Sequence, residues 1–173
     1  MSEGWSESLE RLEELVTDEG IDREIVIIRV LNAPRELVYE AWTDPKHLEK
    51  WWGPNAFTTT TETFDFREGG SWHHVMHGPD GKDYPNWSMF DTIIPNELIS
   101  YDHGGGDPEG VYDAQFHATV TFESMGNKTR VMMRSVFPSL KLRDHVVEKY
   151  GAIEGGKQHL ANLEEYVLTH LTK

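Results

Sequence analysis

Between Phe57 and Phe137 the sequence repeats one pattern: short runs in which apolar and polar residues alternate, each closed by residues that favour turns. A period of two puts one set of side chains on each face of a strand. Turn chemistry between successive runs makes those strands antiparallel neighbours. The spacing predicts strands over residues 57–66, 71–77, 87–94, 98–103, 112–122 and 129–137. Between them lie Gly78-Pro79-Asp80-Gly81, Pro95-Asn96, Gly104-Gly105-Gly106 and Gly126-Asn127, whose residues suit chain reversal. An earlier β-branched run over 25–31, broken only by Arg29, reads as a strand buried on much of both faces.

Helical signals flank this block. Trp5, Leu9, Leu12 and Val16 share one face of a predicted amphipathic helix that ends near Gly20 and either covers the main domain or serves a dimer. Pro34 suits a first helical turn followed by Leu37, Val38, Ala41 and Trp42. Asp44-Pro45 then opens a second short helix carrying Leu48, Trp51 and Trp52, ended by Gly53-Pro54. Ser139 caps a helix toward Tyr150, and Gly151 offers a left-handed stop. From Ile153 a longer helix carries Gly156, Leu160, Leu163, Val167 and Leu171 on one face, predicted to lie against the sheet. The order defines an α+β protein with helices on one side of an antiparallel sheet. Residues 1–20 form a helical extension and 21–173 one domain.

The 173 residues suffice for a single core, and the aromatic-rich composition is that of a folded chain. Sixteen Lys and Arg against thirty Asp and Glu give a formal net charge of −14, which repels phosphate backbones and anionic lipid surfaces. Neither a nucleic-acid nor a membrane partner is expected. The absence of cysteine excludes disulfides, thiolate nucleophiles and iron–sulfur clusters. The acidic start lacks the pattern of a signal peptide, so a cytoplasmic location is expected.

Several segments together carry a resemblance. Arg29, Ala33-Pro34, Val38, Ala41-Trp42-Thr43-Asp44-Pro45, Trp51-Trp52-Gly53-Pro54 and Phe64-Asp65-Phe66-Arg67-Glu68-Gly69-Gly70-Ser71-Trp72 occur in order. Met76-His77-Gly78-Pro79-Asp80-Gly81, the Pro95 hairpin, Lys128-Thr129-Arg130, Phe137-Pro138-Ser139 and Arg143-Asp144 continue it. Over residues 22–172 the chain resembles the branch of the START-like superfamily named after activator of Hsp90 ATPase homologue 1. The resemblance implies a helix-grip fold, in which a curved antiparallel sheet wraps a long C-terminal helix around a cavity. Gly156 departs from the family pattern, where many relatives carry a larger residue, and this departure predicts a roomier cavity.

On the 71–77 strand Trp72, His74 and Met76 share a face, which the resemblance turns toward the helix. Trp52, Phe57, Phe64, Phe90, Tyr101, Phe116, Met133, Gly156 and Leu160 complete the candidate lining. Aromatic and Met side chains with sparse polar groups suit an apolar guest, and the alternative for each is core packing. His73 and His77 stand about 13 Å apart on a strand, too far to share an ion, so no metal is expected. His74 is a candidate for hydrogen-bonding a guest or moving a proton, and His117, whose apolar neighbours Phe116 and Ala118 turn it outward, is the weaker one; a structural role is preferred for both. The Trp51-Trp52 pair reads equally as a pocket lip or as a seal between helices and sheet. Asp65, Arg67, Gly69 and Gly70 are read as shaping a turn, and the Gly104–Gly110 segment as a mobile rim loop rather than a nucleotide loop.

The leading expectation is therefore a protein that encloses a small, largely apolar or aromatic molecule, with no cofactor and with a homodimer left open. An interaction with an Hsp90-type chaperone and a cyclase- or dehydratase-like enzyme rank below it.

Overall fold

Seven strands pair in one antiparallel sheet in the computed structural model, which describes residues 23–107 and 113–172. The helix expected over residues 1–20 lies outside the described residues. In chain order the elements are β1 (Glu24–Leu31), α1 (Arg35–Glu40), α2 (Pro45–Trp51), β2 (Thr58–Phe64), β3 (Ser71–His77), β4 (Asp83–Ile94), β5 (Leu98–Gly105), β6 (Ala114–Met125), β7 (Lys128–Val136), α3 (Leu140–Tyr150) and α4 (Ala152–Tyr166). One π-helical turn, Val167–Leu171, continues α4. The spatial order β1-β7-β6-β5-β4-β3-β2 makes strands two to seven a meander, closed by β1 on β7, with Glu24 opposite Val136 and Leu31 opposite Thr129.

β3 matches its predicted bounds, whereas β4 begins at Asp83, four residues before the predicted start. Pro85 reads as a stop in sequence, yet β5 pairs only from Trp87 onward and Pro85 faces β3 alone, so no ladder bond is lost there. β5 in turn absorbs Gly104 and Gly105 from the segment expected to loop. A Cβ on Gly104 would overlap the Trp87 indole and one on Gly105 the Asn86 carboxamide, so both glycines make room for side chains of β4.

Among the described residues β1 is covered on one face, where the sequence predicts burial on much of both. Ile25, Ile27 and Leu31 point into the core, while Val26, Ile28 and Val30 remain 42%, 48% and 45% exposed. A β-branched run specifies a strand but not how many of its faces are covered, and here helices cover one face of a single sheet.

Local chemistry fixes the helix ends. The Asp44 carboxylate accepts from the Lys46 amide at 2.8 Å, with Pro45 in the first turn of α2. Ser139 Oγ accepts from Leu142 at 3.1 Å, and Gly151, at φ 62°, turns the chain from α3 into α4. α4 buries His159, Leu160 and Leu163 and packs on β1. A Cβ on Gly156 would stand 3.0 Å from Ile27 Cγ1, so this glycine brings helix and sheet together; the room expected at that position is partly taken by Ile27. Arg29 pairs with Glu164 at 2.9 Å, and the same carboxylate accepts from the Asn32 amide at 3.0 Å, tying α4 to the end of β1.

Candidate ligand-binding site

The curved sheet and the helices α3 and α4 leave a hollow of about 390 Å³ between them. Its floor comes from alternate residues of five strands: Ile25 and Ile27, Met133 and Ser135, Phe116, Tyr101 and His103, Tyr84 and Asn86. Met76 joins them from β3. Val146, Lys149, Tyr150, Gly155, Gly156 and His159 form the roof, and Trp52, Gly53, Pro54 and Phe57 close one end.

Seven predicted lining residues meet there: Trp52, Phe57, Met76, Tyr101, Phe116, Met133 and Gly156. Phe64, Trp72, His74, Phe90 and Leu160 do not reach it. Trp72 and His74 do share the inner face with Met76, but Trp52 covers them, its ring 4.8 Å from Trp72 and 5.9 Å from His74. The two stack on each other at 3.8 Å, and the Trp72 indole donates to Thr61 Oγ1 at 3.0 Å. Phe64 and Phe90 pack edge to face at 6.1 Å in the same aromatic cluster, and Leu160, one helical turn beyond Gly156, is wholly buried. Strand parity gives the face; the position of Trp52 decides how far along the strand the hollow extends. Trp51 is structural, its indole donating to the Ala41 carbonyl at 3.0 Å, while Trp52 both seals the core and walls the hollow.

His103, Asn86, His159, Lys149 and Tyr150 were missed by sequence reasoning that sought apolar side chains. Two signals were available: His103 lies two residues from Tyr101 on one strand, and His159 lies three from Gly156 on one helix. His117 faces outward and pairs with Asp102 at 2.8 Å. Among the described residues no group of three or more His, Asp or Glu is placed to hold a metal ion.

Burial keeps three imidazoles of the inner face and α4 neutral at neutral pH. Burial pushes His74 down to about 2, helped by His103, His73 and His159 nearby; burial alone pushes His103 down to about 4 and His159 to about 3. Nδ1 of His159 accepts from the Gly53 amide at 3.0 Å, which puts the ring proton on Nε2. Among the described residues, neither nitrogen of His74 has a hydrogen-bond partner, nor does Ser88 Oγ or His159 Nε2. At 1% exposure and behind the Trp52 ring, His74 lies outside the lining of the hollow.

A polar network stitches the rim between β5, β6 and α3. Tyr150 OH donates to Asp113 at 2.6 Å and accepts from the Asp107 amide at 2.8 Å. Lys149 reaches Asp113 at 3.0 Å, His145 reaches it at 2.6 Å, and Lys82 reaches Asp107 at 2.6 Å. Burial raises the Asp113 pKa, but hydrogen bonds from Tyr150, His145 and Lys149 outweigh it and hold the carboxyl well below its ordinary range.

A curved antiparallel sheet gripping its C-terminal helix defines a helix-grip protein of the α+β class. Residues 32–168 match the family model described as "Activator of Hsp90 ATPase homolog 1-like protein", and the chain belongs to that family. A protein of Arthrobacter aurescens, solved by NMR, is similar at 30% identity and TM-score 0.79, covering 87% of this chain and 89% of its own. A Mycobacterium smegmatis protein shares the fold at 24% identity and TM-score 0.76, over 86% of this chain and 92% of that one. A Nitrosomonas europaea protein does so at 22% and 0.74, over 86% and 96%. No curated protein matches the sequence. Among the described residues no helix is long and apolar enough to cross a membrane.

Proposed function

We propose that this protein binds a small, largely apolar or aromatic molecule in the hollow between sheet and helices. The observation that carries the reading is the hollow of about 390 Å³, walled by Trp52, Phe57, Met76, Phe116 and Met133. Concave sites of this size and chemistry suit small guests, whose burial removes apolar surface from water at about 25 cal/mol per Å². Thermal-shift screening against hydrophobic and aromatic metabolites tests it. A guest at one hundred times its dissociation constant adds about 2.7 kcal/mol of stability and raises the melting temperature. A blank across a broad panel, with no co-purified molecule in native mass spectrometry, overturns the reading.

The family description supports a second reading, an interaction with an Hsp90-type ATPase. A pull-down that recovers no chaperone, together with unchanged chaperone ATP hydrolysis, would retire it. No catalytic step is assigned, because His74 lies behind Trp52 and His117 faces outward, both away from the hollow.

A further inference from the structure

We propose that the floor of the hollow recognises an uncharged oxygen substituent, a hydroxyl or keto group, on its aromatic guest through Tyr101 and His103 of β5 and Asn86 of β4. This rests on the reading that the hollow binds a small aromatic molecule, and it adds which end of that molecule is read and how.

Tyr101 and His103 are two residues apart on one strand and both face the hollow. His103 is held flat beside Phe116, ring centres 4.7 Å apart. Asn86 lies over Gly105 of the neighbouring strand, where the missing Cβ makes space for it. Its amide donates to the Tyr84 carbonyl at 2.7 Å, which leaves Oδ1 to accept. Neither the Tyr101 hydroxyl nor the His103 ring hydrogen-bonds to another described residue. A plain hydrocarbon resting on these groups strips their water and returns no partner, at about 1–3 kcal/mol for each group left unsatisfied. A hydroxyl can accept from one and donate to another, since a neutral imidazole and a phenol each offer both a donor and an acceptor.

The same floor disfavours a charged guest. Burial keeps Tyr101 protonated and His103 neutral. Lys149, the ammonium on the lining, is held by Asp113 at 3.0 Å and by Asp107 at 3.7 Å. A carboxylate would lose its hydration without gaining a free countercharge, against a net charge of −14 on the whole chain.

The test is titration of the full chain with naphthalene, 2-naphthol and 2-naphthoate, repeated on Tyr101→Phe and His103→Phe with thermal melts to verify folding. 2-Naphthol should bind at least about tenfold tighter than naphthalene, and 2-naphthoate weakest of the three. Each variant should lose most of the naphthol preference, and its affinity for naphthalene should rise, because the polar group that a hydrocarbon leaves unsatisfied is gone. Tyr101→Phe removes a single oxygen, so it stays informative should His103→Phe fail to fold. Equal affinities for naphthalene and 2-naphthol, or tightest binding of 2-naphthoate, overturn this inference and leave the apolar site standing. No binding of any of the three overturns this inference, and the broad panel and native mass spectrometry then decide the binding reading itself.

Discussion

The backbone amide of Gly53 donates to Nδ1 of His159 across 3.0 Å, so the end of α2 hangs from an imidazole in the middle of α4. The ring lies among tryptophans, 4.4 Å from Trp52 and 4.9 Å from Trp51. Replacing His159 with Phe keeps the packing but leaves the buried amide without an acceptor, and stability should fall by about 1–3 kcal/mol. His159→Asn, whose Oδ1 takes the place of Nδ1, should recover part of the loss. Urea unfolding of the two variants measures the difference, and identical midpoints would remove the hydrogen bond from the account.

Acid should destabilise the protein before its carboxylates protonate. His74, His103 and His159 titrate near 6.5 when unfolded but are pushed down to about 2, about 4 and about 3 in the fold, chiefly by burial. Below the unfolded value the unfolded chain holds more protons than the native one, so stability is complete above it and falls as pH falls. Between about pH 7.5 and pH 5.5 the three rings together should cost about 4 kcal/mol. Asp113, held low, adds its share only below the ordinary carboxylate range. Urea midpoints at the two pH values measure the slope, and His74→Phe should remove about a third of it. Equal midpoints for the parent protein would contradict burial of neutral imidazoles.

The adjacent glycines of α4 should respond differently to a methyl group. A Cβ on Gly155 would meet only Pro54, at 3.7 Å, whereas one on Gly156 would press on Ile27 at 3.0 Å. Gly155→Ala should therefore gain about 0.5–1 kcal/mol from helix propensity alone. Gly156→Ala should forfeit that gain to the crowding. Chemical denaturation ranks the pair, and a Gly156→Ala chain as stable as Gly155→Ala would mean that Ile27 yields freely.

Tyr150 should act as a fastener of the rim. Its hydroxyl both accepts from the Asp107 amide and donates to Asp113, so Tyr150→Phe removes two hydrogen bonds. A loss of about 1–2 kcal/mol and faster hydrogen exchange at the Asp107 amide are expected. Unchanged protection at that amide would show that the Tyr150 hydroxyl does not hold the segment.

The sheet was legible because its evidence is local. Ser71 to His77 alternate between glycine-rich turns, and the strand they form ends where those turns begin. Failures arose where one residue carries two meanings. Pro85 signals a break in sequence, but it sits where a strand has a partner on one side only. Val26, Ile28 and Val30 announce a strand without saying that nothing described covers their face. For the site, parity placed Trp72, His74 and Met76 on the inner face, yet only Met76 touches the hollow, because Trp52 comes between the sheet and that space from a distant part of the chain. His103 and Asn86 escaped notice because a polar residue on an inner face has no signature of its own; it is seen only once the neighbours that fail to satisfy it are known.

The pairing of β1 with β7 also sets an order of assembly. Each hairpin of the meander can zip outward from a tight turn, whereas Glu24 and Arg134, which bridge the two strands, are 110 residues apart in the chain. Contacts so distant in sequence form late, because the entropy of closing the intervening chain is spent before they return anything. During synthesis from the N-terminus, β1 leaves the ribosome first among the strands and waits without its neighbour until β7 follows. A nascent chain stalled before β7 therefore carries β1, with its isoleucines and valines, without the strand it pairs with, an edge open to pairing with other chains.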